Sequence, residues 1–127
     1  MTSKIHHFAV EVSDAEKSAA FYCNLLGFTR GDRFDFPDRG RIIIFVSLGD
    51  VALEFLQSPD PEPHVGQPKM VGYKHLCLQT DDVDSDVAKL KGAGAKITTE
   101  PFDTQLNSRI AFLEDPDGLL LELWQSK

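Results

Sequence analysis

Subtracting residue numbers yields the constant that most restricts how this chain can fold. His7 and His75, Asp14 and Asp82, Arg41 and Arg109, Glu54 and Glu122, and Gln57 and Gln125 each differ by 68. One polar match arises by chance, but a single register running through both halves indicates an internal duplication. Residues 5–12 alternate as a half-buried strand, and "SDAEKSAAFYCNLLGF" follows with a capping residue, helical apolar spacing and a glycine stop. A short strand over 28–35 comes next, and then "RIIIFVSLGDVALEFLQ" reads as two strands turned at Leu48-Gly49-Asp50. The order restarts at Tyr73, with a strand to Thr80, a helix across "DVDSDVAKLKGAG", a strand near "AKITTE" and a hairpin in "RIAFLEDPDGLLLELWQ". The reading is two βαβββ modules, about 4–58 and 73–126, joined by the proline-rich connector "SPDPEPHVGQPKMVG" and sharing one domain of 127 residues.

The size suits one domain with a packed interior, since 42% of the residues are hydrophobic. A formal net charge of −7 repels phosphate backbones and anionic bilayers, so neither nucleic acid nor a membrane is expected as partner. The longest apolar runs, "IIIFV" and "LLLELW", fall far short of the roughly 20 residues of a membrane span, and "MTSKIHH" lacks the apolar segment of a signal peptide. A cytoplasmic protein follows as the expectation. Cys23, on a helix, and Cys77, in a strand, read as small buried hydrophobes rather than a disulfide.

Strand alternation puts His7 on one face with Ala9 and Glu11, while Phe8, Val10 and Val12 point into a core beneath the helix. Glu54 shares a face with Ala52 and Leu56, and Glu122 with Leu120 and Trp124. A carboxylate among apolar neighbours is costly unless a cation or several donors meet it. Two glutamates and two imidazoles together suit a divalent metal held by two nitrogens and two oxygens. Taken singly, a strand histidine is more often a hydrogen-bonded structural residue, and a strand glutamate usually faces water. The joint pattern argues otherwise, because a solvated face has no reason to repeat both types with a histidine-to-glutamate separation of 47 each time. His6 is expected to point away from His7, and His64 to be solvated in the connector. Cys77 and Gln79 flank His75. Arg41 and Arg109 open matching strands and are expected to pair with acidic side chains. The run from Asp81 to Asp86 reads as a helix cap and a solvated first turn, since the glycine and terminal glutamate of a calcium loop are missing.

These modules, with "HHFAVEVSDAEKSAAFYCNLLGF", "ALEFLQ", "YKHLCLQTDDVD" and "FLEDPDGLLLELWQ", resemble the vicinal oxygen chelate superfamily (glyoxalase/bleomycin resistance/dioxygenase), in its glyoxalase I-like branch. The resemblance implies an α+β fold in which tandem βαβββ modules form a cupped mixed β-sheet. Matched position by position, it places the four metal ligands on His7, Glu54, His75 and Glu122, and the ion as Ni, Co, Zn or Mn. It implies a lyase or isomerase that works by a metal-stabilised enediolate, with Glu122 as base and Glu54 as its catalytic partner. Glu11, Leu56, Cys77, Gln79 and Trp124 would line the substrate pocket of a small molecule, and the protein would be a homodimer. An acyl-CoA epimerase of the methylmalonyl-CoA epimerase type and a non-catalytic small-molecule binding or resistance protein are the alternatives that the same scaffold hosts. The chain departs from glyoxalase I where that enzyme holds glutathione with an arginine and an asparagine; Glu11 and Ser58 stand at those positions. A carboxylate at Glu11 repels the glutathione carboxylates, at a cost of up to a few kcal/mol when partly buried.

Overall fold

The computed structural model describes residues 1–66 and 69–127, so Gln67 and Pro68 of the connector lie outside the described residues. The chain divides into two compact units, Met1–Pro63 and His64–Lys127. The first contains β1 (His7–Glu11), α1 (Ala15–Leu26), β2 (Thr29–Phe36), a 3-10 turn at Pro37–Arg39, β3 (Arg41–Leu48) and β4 (Val51–Gln57). The second contains β5 (Leu76–Gln79), α2 (Val83–Gly92), β6 (Lys96–Asp103), β7 (Ser108–Glu114) and β8 (Leu120–Ser126). Both are βαβββ units, as the repeat predicts. Each carries its own four-stranded mixed sheet, ordered β1-β4-β3-β2 and β5-β8-β7-β6. Strand β1 runs parallel to β4, and β5 to β8, which is what a crossover through a helix permits.

The helices start where the repeated aspartates and glutamines dictate. Asp14 accepts from the Lys17 amide at 3.1 Å and Asp82 from the Ser85 amide at 3.0 Å. A second acceptor comes from the neighbouring parallel strand of each sheet: Gln57 Oε1 takes the Ala15 amide at 2.8 Å, and Gln125 Oε1 takes the Val83 amide at 2.9 Å. Two of the five matched pairs thus perform one job, satisfying amides that a helix leaves open at its start. Helix α1 ends at Gly27, whose φ of 79° is left-handed.

In the first unit α1 packs Ala15, Ala19 and Tyr22 onto Ile44, Val46, Leu53 and Phe55, all buried. In the second, Val83, Val87 and Leu90 of α2 are buried together with Ala111, Leu113, Leu121 and Leu123. The expected inward row on β1 is buried only at Val12; Phe8 is 37% exposed because it lies at the strand's outer end, on an edge strand. Strand β5 is shorter than the apolar alternation suggests and leaves His75 just ahead of it, while β2 and β6 extend further, to Phe36 and Asp103.

The two hairpins differ by one residue, which qualifies the constant offset. Glu54 faces Phe45 across the β3–β4 ladder, whereas Glu122 faces Phe112 across β7–β8. The offset is 68 for the glutamates and 67 for the phenylalanines. The first hairpin turns through Gly49 and Asp50; the second uses the loop 115–119, in which Asp115 Oδ1 accepts from the amides of Asp117 at 2.8 Å and Leu119 at 2.9 Å. Ile42 pairs with Gln57 and Arg109 with Gln125, so Arg109 is the structural counterpart of Ile42. The numerical match of Arg41 with Arg109 is therefore not a structural one, because side chains one residue apart on a strand take opposite faces.

Candidate functional site

Both repeated histidine–glutamate pairs form, each on the sheet face turned away from its helix. In the first unit His7 pairs in register with Ala52, and Glu54 with Ala9, so the two side chains meet diagonally across the parallel ladder. His7 Nε2 lies 3.7 Å from Glu54 Oε1, with side-chain exposures of 36% and 19%. In the second unit His75 Nε2 lies 2.6 Å from Glu122 Oε2, with exposures of 32% and 9%. The second pair is thus tighter, and its carboxylate is the more enclosed.

An aromatic ring that the sequence reading missed backs each pair. Phe45, directly across from Glu54, meets the His7 ring edge-on at 5.9 Å between centroids. Phe112, directly across from Glu122, meets the His75 ring at 5.5 Å. These rings restrict each imidazole and exclude water from one side of it. They escape a search at 68 because they repeat at 67. Gly31 admits the first of them, since a Cβ there would stand 3.0 Å from the Phe45 carbonyl oxygen.

The remaining expected site residues lie on the same two faces. Glu11 is in register with Leu56, and its Oε1 accepts the Ser58 hydroxyl at 2.7 Å. The two residues standing at the glutathione-holding positions are thus bonded to each other. Cys77 pairs in register with Glu122 and Gln79 with Trp124, whose indole donates to Ser126 Oγ at 3.0 Å. Partial enclosure of its sulfur pushes the Cys77 thiol up to about 11 although the residue as a whole is exposed, with further elevation from the charge of Glu122 and a hydrogen bond to it. The thiol therefore stays protonated at neutral pH. Cys77 was expected to be buried and is exposed, because β5 is the edge strand of its sheet; Cys23 is half-buried, and burial raises its thiol also.

Three further expectations need correction. His6 does not turn away from His7: their Nδ1 atoms are 2.8 Å apart, with the rings nearly perpendicular at 82°. His6 precedes β1, so strand alternation does not govern its direction. One Nδ1 of the pair must donate; when it belongs to His7, the His7 Nε2 keeps its lone pair toward Glu54. The first turn of α2 is not simply solvated, since Asp84 takes Arg109 at 2.7 Å and 3.0 Å, and Asp86 bonds Thr80. Arg109 also pairs with Asp103, as expected of it, but Arg41 makes no ion pair among the described residues, and its buried Nε has no hydrogen-bond partner. A buried donor left open costs about 1–3 kcal/mol.

The donor types fit a divalent cation, because imidazole nitrogen and carboxylate oxygen are the ligands such ions take. Each unit supplies one of each, half of a four-ligand set. Among the described residues no three His, Cys, Asp or Glu side chains gather into one metal-holding cluster. No helix among the described residues is long and apolar enough to cross a membrane.

Residues 4–123 match the model of the glyoxalase/bleomycin resistance protein/dioxygenase superfamily. The chain is 34% identical to the uncharacterized protein YaeR of Escherichia coli over 96% of its own length and 95% of that protein's. It is 31% identical to bovine mitochondrial methylmalonyl-CoA epimerase, covering 97% of this chain and 74% of the relative, and 31% identical to lactoylglutathione lyase of Neisseria meningitidis, covering 98% and 91%. Among solved structures, a glyoxalase family protein from Enterococcus faecalis superposes with a TM-score of 0.83 at 28% identity, covering 96% of this chain and 97% of the other. TnmS3, an antibiotic binding protein from Streptomyces, superposes at 0.76 and 31%, covering 99% and 98%.

Proposed function

The chain belongs to the glyoxalase/bleomycin resistance protein/dioxygenase superfamily, and from that premise we propose that it is a divalent-metal-dependent lyase or isomerase of the glyoxalase I type acting on a small molecule. The observation that carries this reading is the duplicated pair: each unit sets one imidazole against one carboxylate across a parallel ladder and backs it with a phenylalanine. His7, Glu54, His75 and Glu122 would hold Ni, Co, Zn or Mn, either from one chain or from two. When bound, the ion supplies Lewis acidity that makes a carbon acid beside a carbonyl easier to deprotonate.

The protein's own part is the proton. Glu122 is the base in this reading: its side chain is 9% exposed, and His75 Nε2 stands 2.6 Å from it. The neutral Cys77 thiol donates to Glu122 without adding charge. Glu54, more open and further from its histidine, serves as the catalytic partner and ligand. Leu56, Gln79 and Trp124, with Cys77 and Glu11, line the approach and set which substrate is accepted. Two free thiols suit the reducing cytoplasm, and a homodimer would give a partner to strands that end their own sheets, such as β1 and β5.

A second reading is an acyl-thioester epimerase, favoured by the methylmalonyl-CoA epimerase relative and by the Ser58–Glu11 bond, which places a carboxylate where glutathione would be clamped. A third, binding without turnover, draws on TnmS3. Metal analysis of the purified protein comes first, followed by turnover of methylglyoxal hemithioacetals made with several thiols and by deuterium uptake into methylmalonyl-CoA. Turnover of a hemithioacetal supports the first reading and deuterium uptake alone the second. Absence of both with metal bound leaves the third.

A further inference from the structure

Strand register places one basic side chain on the same face as the His7–Glu54 pair. Gln57 reaches the start of α1 and pairs with Ile42, so those two lie on the helix side and Arg41 lies opposite, with Ile43 and Phe45. Arg41 pairs with Phe36, and Ile43 with Phe34 on one side and Leu56 on the other. Phe34 meets Phe45 edge-on at 6.2 Å, and Phe45 meets His7. A lane of Phe36, Phe34, Ile43 and Leu56 therefore runs from Arg41 to the His7–Glu54 pair, about 13 Å along β3. Phe34 and Phe36 are 45% and 42% exposed on it.

At its far end Arg41 is fixed in place and unpaired. Gly40, with φ 61°, packs so closely that a Cβ there would stand 2.9 Å from Pro59 Cγ, which joins the start of β3 to the segment following Ser58. The Arg41 Nε is shut off from solvent and has no hydrogen-bond partner, and no acidic side chain pairs with the guanidinium among the described residues. Three other arginines meet carboxylates: Arg30 and Arg33 take Glu16, Arg33 also takes Asp35, and Arg109 takes Asp84 and Asp103. Glu11 lies two strands away, roughly 10 Å, and engages the Ser58 hydroxyl. With its Nε enclosed and no acidic side chain paired with the guanidinium among the described residues, Arg41 carries an uncompensated charge at the end of an apolar lane, which an anion from outside the chain would compensate through the guanidinium's other donors.

We propose that Arg41 receives an anionic group, a carboxylate or a phosphate, carried by the substrate on an apolar stem that lies along Phe36, Phe34, Ile43 and Leu56. The placement of the reacting carbon at the other end of that stem rests on the function proposed above; the anion site itself does not. It assigns selectivity for an anionic tail to β3, while Glu11 disfavours such a tail over β1.

The test uses the ¹⁵N-labelled full-length protein freed of metal by chelation, titrated with hexanoate, hexyl phosphate and hexanol. The Arg41 Nε–H signal, assigned in the ¹³C,¹⁵N-labelled wild type through its own side-chain carbons, reports a ligand at the guanidinium. Hexanoate or hexyl phosphate is expected to move that signal and to bind at least tenfold more tightly than hexanol, and the better of the two tells carboxylate from phosphate. In Arg41→Gln the three probes should bind within twofold of one another. An unmoved signal in the wild type, or an anion preference that survives Arg41→Gln, overturns the proposal; the wild-type signal decides alone if the variant does not fold. Glu122→Gln should keep the full preference whatever its turnover, and a wild-type protein that shows the preference but turns over neither hemithioacetals nor methylmalonyl-CoA counts against the proposed function and not against this site.

Discussion

His75 Nε2 and Glu122 Oε2 lie 2.6 Å apart across the β5–β8 ladder, whereas their counterparts His7 and Glu54 are separated by 3.7 Å. Duplicated sequence has produced two unequal pairs, and the inequality assigns different work to the two glutamates. Glu122→Gln keeps an oxygen but cannot take a proton near neutral pH. Turnover should fall by about 10²- to 10⁴-fold while metal content falls only modestly. Glu54→Gln should be milder on turnover and comparable on metal content. Metal analysis and steady-state rates on both variants check this, and wild-type activity in Glu122→Gln with metal still bound would sink the assignment of the base.

Metal binding that requires the folded protein must appear as stability. Chelation of the metal-loaded protein should lower its melting temperature, and restoring the ion at about 100 times its Kd should return about 2.7 kcal/mol. His7→Ala should lose the response. A melting curve indifferent to chelator would speak against all four ligands together.

The glutamine contacts to the helix starts are testable without any ligand. Gln57→Leu leaves the Ala15 amide, and Gln125→Leu the Val83 amide, with one acceptor fewer. Each should cost about 1–3 kcal/mol in urea unfolding, and amide exchange at Ala15 or Val83 should accelerate accordingly.

Leu113 is fully buried beneath α2, so Leu113→Ala should cost about 2–5 kcal/mol through lost burial and the cavity left behind. The midpoint of urea unfolding measures it. A loss below 1 kcal/mol would mean that the second unit packs less tightly than its buried residues indicate.

Acid should expose the Arg109 network. Arg109 beside Asp84, and Lys127 with Arg109 beside Asp103, hold both carboxyls below the usual range. Groups depressed in the folded state add stability above their unfolded pKa, and that contribution vanishes as pH falls through the folded values. Arg109→Met should therefore be less stable than wild type at pH 6 and indistinguishable from it near pH 2, with the pH 6 difference shrinking in salt because both carboxylates are exposed. Urea midpoints at the two pH values decide it.

Most of the fold was legible because its signals are local: alternation, a capping aspartate, a glycine stop. The ligand candidates were legible because His7, Glu54, His75 and Glu122 keep one offset and therefore one relation to their strands. What escaped depends on pairing between strands. Phe45 and Phe112 are recognisable only once their strands are set against Glu54 and Glu122, because the second hairpin carries an extra residue. His6 lies before the first strand residue, where alternation gives no direction. The free Arg41 was obscured by its numerical match to Arg109, whose partners sit in α2 and β6.

That extra residue also governs any attempt to graft one half onto the other. Exchanging β4 with β8 calls for an alignment of 68, but exchanging β3 with β7 calls for 67. A chimera cut at 68 throughout would swing the Arg109 guanidinium from the helix side, where Asp84 and Asp103 take it, to the opposite face, and bring Ser108 beneath the helix. Such a protein would retain its strands and yet carry its charge on the wrong side of the sheet, so the spacing of one turn decides which recombinants between the halves remain viable.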